Sequence, residues 1–188
     1  MIDCPGCVEL PVPTADDLAI LLRAARSADL DAIVAIRSTP EIHHRWGGDD
    51  LAQEFLDDLA SEELHLMIIE VEGQPAGAIQ WSEEVDPMYR HAGIDLYLDP
   101  TMHGRGIGSA AVAALARHLF DEHGHHRLVI DPATDNLAAI DCYSRVGFRP
   151  VGVMRQYELG ADGTWHDGLL MELLAEDFRP PPPTPKQD

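Results

Sequence analysis

The chain of 188 residues carries 33 acidic and 13 basic side chains, which gives a formal net charge of −20 at pH 7. Hydrophobic residues make up 45% and charged residues 24%, proportions that are typical of a folded domain and exclude a disordered chain. This length is enough for one hydrophobic core and too short for two ordinary domains. The charge opposes binding to nucleic acid and to anionic membranes, and it favours cationic partners.

The sequence shows no membrane span and no secretion signal. No apolar run approaches the ~20 residues needed to cross a bilayer, and the N-terminus lacks a basic start followed by an apolar stretch. We therefore expect a cytoplasmic protein. Cys4 and Cys7 form an isolated CxxC motif without a second ligand pair, and His123, His125 and His126 fit a solvated loop. We expect no metal cofactor.

The first half of the chain is predicted to contain a leader, two helices and a β-hairpin. Residues 1–17 contain three prolines and little periodicity, which predicts a leader before one domain over 18–178. The elements predicted next are a strand over 19–24, a helix from 27 or 29 to about 37, a helix from 49 or 50 to about 59, and strands over 64–71 and 76–81.

The second half is predicted to alternate strands with helices. Apolar and polar side chains alternate over 94–98, which predicts a strand with Asp95 and Tyr97 on one face. The later elements are a helix over 107–120, a strand over 127–131, a helix over 136–146 that ends at Gly147, strands over 148–158 and 165–173, and a proline-rich tail over 179–188. This order predicts an α/β (α+β) domain with a mixed sheet of about seven strands, flanked by about four helices.

The turn His103-Gly104-Arg105-Gly106-Ile107-Gly108 joins the strand over 94–98 to the long helix. Glycines at such a junction let the backbone approach a ligand, and the first turn of a helix offers unpaired N–H groups and positive potential to an anion. The turn lacks the glycine spacing of a dinucleotide-binding fold and the Gly-Lys-Ser/Thr of a P-loop. It therefore predicts a different loop for a phosphorylated cofactor.

Together with the segments after it, this turn resembles the GNAT superfamily of N-acetyltransferases. The family's acyl-CoA loop has the pattern Arg/Gln-x-x-Gly-x-Gly/Ala, and His103 takes its first position here. The matching residues, in the family's order, are Gly106, Gly108, Asn136, Cys142, Tyr143, Gly147 and Phe148. The resemblance extends over 18–174 and is sharpest over 93–148. It implies a GNAT fold, a splay between the strands that begin at Ile94 and Arg127, and acetyl-CoA as co-substrate.

The resemblance also assigns the residues that would bind the coenzyme. They are Leu96, Tyr97, Leu98, His103, Gly104, Arg105, Gly106, Ile107, Gly108, Asn136 and Tyr143. Backbone N–H groups of 96–98 on the splayed strand are the best donors to the thioester carbonyl. Because His103 replaces the family's Arg or Gln, we expect a changed side-chain contact to the diphosphate and unchanged backbone contacts.

Two side chains are candidates for the acid and the base of amide formation. Tyr143 is the acid candidate because a phenol has a pKa near 10, close to that of a departing thiol, and the family tyrosine at this point reaches the coenzyme sulfur. The alternative is a core tyrosine with a structural hydrogen bond. Asp95 is the base candidate, because a carboxylate on a central strand rarely lacks a partner. Its alternative is an ion pair with Arg90 or Arg127.

The segment over 80–95 is similar to the aminoglycoside 6'-N-acetyltransferases. Its shared marks are Trp81, Glu83, Glu84, Asp86, Pro87, the Gly93-Ile94-Asp95 triplet, and later Asp131-Pro132. This similarity implies a substrate site with Trp81 beside the sugar, Asp95 and Asp131 on amino groups, and Glu83 and Glu84 as further acids. Carboxylates and an aromatic face suit a molecule with several ammonium groups. Taken singly, Glu83, Glu84 and Asp86 also fit a solvated acidic loop.

The sequence therefore predicts an acetyl-CoA-dependent N-acetyltransferase whose acceptor is the 6'-amine of an aminoglycoside, an activity that would confer resistance. One alternative is a GNAT enzyme for a different amine, such as a protein N-terminus, a polyamine or a siderophore precursor. Another is a non-catalytic module that binds acyl-CoA. The sequence favours neither a monomer nor a homodimer.

Overall fold

The computed structural model describes residues 9–12, 18–160 and 162–179. Within these ranges the chain forms eight strands and five α-helices. The strands are β1 (Leu10–Val12), β2 (Ile20–Ala24), β3 (Leu64–Val71), β4 (Gln74–Glu84), β5 (His91–Leu98), β6 (Arg127–Ile130), β7 (Arg149–Leu159) and β8 (Trp165–Leu174). The helices are α1 (Leu30–Arg37), α2 (Pro40–Trp46), α3 (Leu51–Ala60), α4 (Ile107–Asp121) and α5 (Leu137–Val146).

All eight strands belong to one sheet, in the order β1-β2-β3-β4-β5-β6-β8-β7. The neighbours β5 and β6 are parallel and the other neighbouring pairs are antiparallel. The sheet is therefore mixed, and the predicted α/β class is confirmed. The described part of the chain contains no helix that is long and apolar enough to cross a membrane.

Two elements are additional to the predicted ones. Strand β1 lies inside the segment that the sequence predicted to be a leader, where it pairs with β2 at the edge of the sheet. Helix α2 starts at Pro40, a residue suited to a first helical turn because its missing N–H would have no partner there. Only Ile42 of this short helix is buried, so no apolar stripe marks it in the sequence.

The structure selects one cap where the sequence offered two: Asp50 rather than Asp49, and Asn136 rather than Asp135. It also confirms the helix end predicted at Gly147. The Asp50 side chain accepts a hydrogen bond from the backbone N–H of Gln53 at the start of α3, and Asn136 accepts one from Ala139 at the start of α5. Gly147 ends α5 in the left-handed conformation, with φ of 114°. Each cap pairs backbone groups that the end of a helix leaves without partners.

The two faces of the sheet carry separate hydrophobic clusters, and β5 contributes to both. Ile94 and Leu98 pack with α4 and α5 on one face, whereas Tyr97 packs with α1, α2 and α3 on the other. The predicted alternation along β5 is therefore confirmed. Asp95 shares the face of Tyr97, because side chains two residues apart in a strand point the same way.

Strands β5 and β6 separate in the middle of the sheet. They pair only at Ala92 with Leu128 and at Gly93 with Val129. Beyond Gly93 the remaining residues of β5 have no pairing with β6. The splay expected from the family resemblance is thus present, and it opens one edge of β5 between the two faces of the sheet.

Some predicted features fall wholly or partly outside the described residues. Cys4, Cys7 and the residues 180–188 of the proline-rich tail lie outside them. Just before residue 180, the ring of Phe178 lies 5.5 Å from the ring of Phe120, so the segment after β8 packs against α4.

Candidate active site

A cavity of about 480 Å³ lies between the end of β5, the glycine turn and α5. We call it the glycine-turn cavity. Its lining contains every residue predicted to bind the coenzyme except Arg105: Leu96, Tyr97, Leu98, His103, Gly104, Gly106, Ile107, Gly108, Asn136 and Tyr143. Arg105 does not line this cavity, and its exposed side chain contacts the sulfur of Met102 at 3.2 Å.

The glycine turn is open toward solvent. Gly104 and Gly106 have φ of 74° and 75°, and a Cβ built on either would meet no protein atom within 4 Å. Gly106 begins α4 without a side-chain cap. The first N–H groups of α4 therefore face a space that protein atoms do not fill, which is the arrangement that binds an anionic group at a helix start.

The His103 ring points back to the strand. Its Nε2 lies 2.9 Å from the carbonyl oxygen of Leu98, which can only accept, so Nε2 carries the hydrogen. The ring therefore joins the glycine turn to the splayed end of β5.

A second cavity, of about 870 Å³, adjoins the first. We call it the acidic cavity. Its acidic lining residues are Asp49, Glu54, Asp95, Asp131, Asp135 and Glu158. The residues Arg45, Trp46, Leu96, Asn136 and Tyr143 border both cavities, so the two spaces are continuous along the splay.

The two arginines of the acidic cavity are already paired. Arg37 contacts Glu54 at 2.8 Å and also donates to the carbonyl oxygens of Trp46 and Gly47, which fixes the end of α2 against α3. Arg45 contacts Asp135 at 2.9 Å. These pairs leave the other four acids of the cavity without an arginine partner among the described residues, and the cavity keeps a strongly negative potential.

Asp95 lines the acidic cavity, where its side chain is exposed to solvent. Protein atoms nevertheless crowd around its carboxylate and displace part of its hydration. This desolvation raises the pKa of Asp95 to about 7, and the charges of Asp131 and Glu158 add to the rise. A group with such a pKa exchanges protons near neutral pH.

The structure does not support the ion-pair alternative for Asp95. Arg90 donates to the carbonyl oxygen of His123, and Arg127 pairs with Glu172 at 2.9 Å. Neither arginine lines the acidic cavity.

Tyr143 stands where the two cavities meet, and only 6% of it is exposed. Burial raises the pKa of its phenol well above the usual value, with further rises from Cys142, Asp95 and Asp131. The hydroxyl therefore keeps its proton throughout the physiological range. Its ring packs 6.3 Å from Phe148, just after the end of α5.

Strand β7 contributes two side chains that the sequence did not indicate as site residues. The hydroxyl of Tyr157 donates a hydrogen bond to Oδ2 of Asp131 at 2.8 Å. Burial raises the pKa of Glu158, and the charge of Asp131 adds to that rise. Both residues line the acidic cavity beside Asp95. No short motif marks them in the sequence, and they lie where the pairing of β7 with β8 is irregular.

The prediction that Trp81 lines a sugar site is wrong. Trp81 pairs with Ile94 across the strands, so it faces the α4 side of the sheet, opposite to Asp95. It is 3% exposed and stacks on His65, with ring centroids 3.9 Å apart. It borders a recess of about 160 Å³, which Asp95 also reaches, but a ring with so little exposed surface has no face to offer a ligand.

The structure also leaves Glu83 and Glu84 outside the acidic cavity. Glu83 lies on the same face as Trp81, where its carboxylate is 3.2 Å from Nε2 of His125. Gln80 is the cross-strand neighbour of Asp95. Glu84 follows it by four residues, which places Glu84 about 13 Å further along β4. Of the four predicted substrate acids, Asp95 and Asp131 line the acidic cavity, whereas Glu83 and Glu84 do not.

The loop that contains His123 and His125 is not solvated in the way the sequence predicted. His125 is only 3% exposed, and the ring of His123 lies 4.7 Å from Trp81. These two rings belong to the packing around Trp81 and not to a solvated loop. Within 9–12, 18–160 and 162–179, no group of three or more His, Cys, Asp or Glu side chains is arranged to hold a metal ion.

The sheet, the splay and the open turn at the start of α4 define an acyltransferase of the GNAT type, and the comparisons agree. The family described as "Acetyltransferase (GNAT) family" matches residues 30–148, and the chain belongs to this family. The Aminoglycoside N(6')-acetyltransferase type 1 of Klebsiella pneumoniae is 29% identical over 169 residues, which cover 79% of this chain and 83% of that protein.

Two solved structures have the same fold. AAC(6')-Ib in complex with Parmomycin and AcetylCoA has a TM-score of 0.69 at 26% identity, and the match covers 84% of this chain and 94% of that one. Mycobacterium smegmatis RimJ in complex with CoA-disulfide has a TM-score of 0.75 at 25% identity, with coverage of 90% and 87%. The neighbours thus include enzymes whose names differ, and family membership alone does not fix the acceptor.

Proposed function

We propose that this enzyme transfers the acetyl group of acetyl-CoA to a primary amine of a polycationic small molecule, and that the acceptor is the 6'-amine of an aminoglycoside. The observation that carries the proposal is the placement of Asp95, Asp131 and Glu158 together in the acidic cavity. Several carboxylates in one confined space favour a ligand with several ammonium groups. The similarity to aminoglycoside N(6')-acetyltransferases supports the same acceptor.

The glycine-turn cavity fits the coenzyme. The open space over Gly104 and Gly106 would take the diphosphate, because a Cβ there would meet no protein atom. The unpaired edge of β5 at 96–98 would hold the arm that leads toward Tyr143. The coenzyme supplies an acetyl group activated as a thioester.

The side chains at the junction would then divide the proton transfers. The amine must lose a proton before it attacks, and Asp95, with a pKa of about 7, accepts that proton directly or through water. Tyr143 remains a hydrogen-bond donor and faces both cavities, so its hydroxyl would donate to the sulfur as the thiolate leaves. Backbone N–H groups of 96–98 would polarise the thioester carbonyl.

The negative charge and the volume of the acidic cavity distinguish the acceptor classes. A protein N-terminus brings one ammonium group and would pair with only a small part of the negative charge of the acidic cavity. A linear polyamine and an aminoglycoside both bring several charges. We favour the aminoglycoside because the acidic cavity, at about 870 Å³, is wide enough for a molecule of several rings.

A thiol-release assay with acetyl-CoA tests this proposal. The panel contains kanamycin, tobramycin, spermidine and a peptide with a free N-terminus. We expect turnover with the aminoglycosides at a kcat/KM at least about tenfold above that for spermidine or the peptide, a difference of about 1.4 kcal/mol. No turnover with either aminoglycoside would remove the acceptor assignment.

Two acid-to-amide variants give a matched control for the acceptor. Asp131→Asn, inside the acidic cavity, should raise KM for kanamycin by about tenfold, because it removes one charged contact to an ammonium group. Glu84 is exposed and lies outside the cavity, so Glu84→Gln should leave KM for kanamycin unchanged. Equal effects of both variants would indicate a general loss of surface charge and not a specific site.

A further inference from the structure

Strand β7 departs from regular pairing beside the acidic cavity. Its register with β8 passes from Met154 opposite Gly168 to Glu158 opposite His166. Three residues of β7 therefore lie opposite Asp167 alone. A bulge of this kind changes the direction of the side chains on the bulged strand.

Asp167 of β8 contacts both the bulge and the segment after β6. The centre of the bulge is Gln156, whose φ of 51° lies in the left-handed region that non-glycine residues rarely adopt. The backbone N–H of Gln156 donates to Oδ1 of Asp167 at 2.8 Å. The carbonyl oxygen of Asp167 accepts from Thr134 at 2.9 Å, and Leu169 donates to the carbonyl oxygen of Pro132 at 2.8 Å. Asp167 and Leu169 thus fix the bulge and the segment after β6 relative to each other.

The next residue, Tyr157, lies with its ring against Gly168. A Cβ at Gly168 would lie 2.9 Å from Cδ1 of Tyr157 and 3.3 Å from Cε of Met154, so a larger residue would displace the ring. With the ring in this place, the hydroxyl reaches Oδ2 of Asp131, the first residue after β6. Tyr157 is 49% exposed, and packing alone therefore gives little reason for the unfavourable backbone at Gln156.

We propose that Tyr157 is a positioning residue for Asp131 and sets the affinity for the amine acceptor through this bond. The donated hydrogen bond fixes the orientation of the Asp131 carboxylate. It occupies Oδ2 and leaves Oδ1 for an ammonium group in the acidic cavity. The inference rests on the proposed function, because it requires Asp131 to contact the acceptor.

A double-mutant cycle tests whether Tyr157 acts through Asp131. The variants are Tyr157→Phe, Asp131→Asn and the double variant, each assayed with acetyl-CoA and kanamycin. We expect Tyr157→Phe to raise KM for kanamycin about three- to tenfold, with kcat and KM for acetyl-CoA changed less than about twofold. In the Asp131→Asn background the same substitution should have no further effect on KM.

Two further variants separate positioning from a general loss of structure. Gly168→Ala keeps both partners of the bond but crowds the ring, so it should raise KM for kanamycin in the direction of Tyr157→Phe. Tyr89→Phe removes the hydroxyl of a tyrosine that is 68% exposed in the β4–β5 connection and should change nothing. Calorimetric titration of each variant with kanamycin gives the affinity independently of turnover.

The outcomes distinguish this inference from the proposed function. If the wild-type protein neither acetylates nor binds kanamycin, the proposed function fails and this inference fails with it. If the wild-type protein does both, but Tyr157→Phe raises KM equally with and without Asp131, Tyr157 does not act through Asp131 and the inference alone is overturned. A fall in kcat with unchanged KM would overturn it as well.

Discussion

The imidazole of His103 donates a hydrogen bond to the carbonyl oxygen of Leu98 over 2.9 Å, and so joins the glycine turn to the free edge of β5. In the proposed complex these two segments contact different parts of one coenzyme, its diphosphate and its arm. Their relative position therefore decides where the sulfur arrives.

His103→Ala should weaken binding of acetyl-CoA without affecting the chemical step. The loss of one hydrogen bond of about 1 kcal/mol predicts a rise of about fivefold in KM for acetyl-CoA, with kcat and the acceptor KM unchanged. The matched control is His91→Ala, because Nδ1 of His91 makes a similar contact with the carbonyl oxygen of Tyr89, at 2.7 Å, outside both cavities. Steady-state kinetics that show equal changes for the two variants would contradict this role.

The glycine turn gives a second matched pair. Gly106→Ala and Gly124→Ala both place a Cβ on left-handed backbone, with φ of 75° and 67°, and in both positions the Cβ meets no protein atom within 4 Å. Each should lose about 1 kcal/mol of stability from backbone strain. Only Gly106→Ala should raise KM for acetyl-CoA, because its methyl group enters the space assigned to the diphosphate. Thermal unfolding and kinetics together separate the two effects.

The rate should depend on pH through Asp95. The base acts in its ionised form, and its pKa is raised to about 7, so kcat/KM should fall about tenfold per pH unit as the pH drops below 7. Asp95→Asn should remove this acid limb of the pH profile and lower kcat/KM by about 10²-fold or more. In Asp131→Asn the limb should move to lower pH, because one neighbouring negative charge is lost. A profile that is flat between pH 5 and 8 in the wild-type enzyme would exclude Asp95 as the base.

Tyr143→Phe isolates the hydroxyl at the junction of the cavities. The phenylalanine ring keeps the packing near Phe148, so the unfolding midpoint should change little. We expect kcat to fall about 10²-fold, with KM for both substrates nearly unchanged, because the hydroxyl acts on the leaving thiolate and not on binding. An unchanged kcat would assign Tyr143 to the core alone.

The parts of the fold that depend on local signals were predictable from the sequence. The strand over 64–71 matches β3, and the capping roles of Asp50, Asn136 and Gly147 are as predicted, because each is a short-range property of a few residues. Strand β1 was missed because three residues carry no measurable periodicity.

The main differences between prediction and structure at the site involve the pairing of strands. The motif around Trp81 suggested a place beside Asp95, but the register pairs Trp81 with Ile94 and thus sends it to the other face. Tyr157 and Glu158 line the acidic cavity at a bulge of β7, where the pairing with β8 is irregular. Neither the strand register nor the bulge can be predicted from a few neighbouring residues.

A crystal structure of the enzyme with coenzyme A and kanamycin tests the central claim most directly. The account predicts the diphosphate on the N–H groups that begin α4, the sulfur within about 3.5 Å of the Tyr143 hydroxyl, and an amine of kanamycin near Asp95. A coenzyme bound elsewhere, or a sulfur that lies far from Tyr143 on the side away from the acidic cavity, would contradict it.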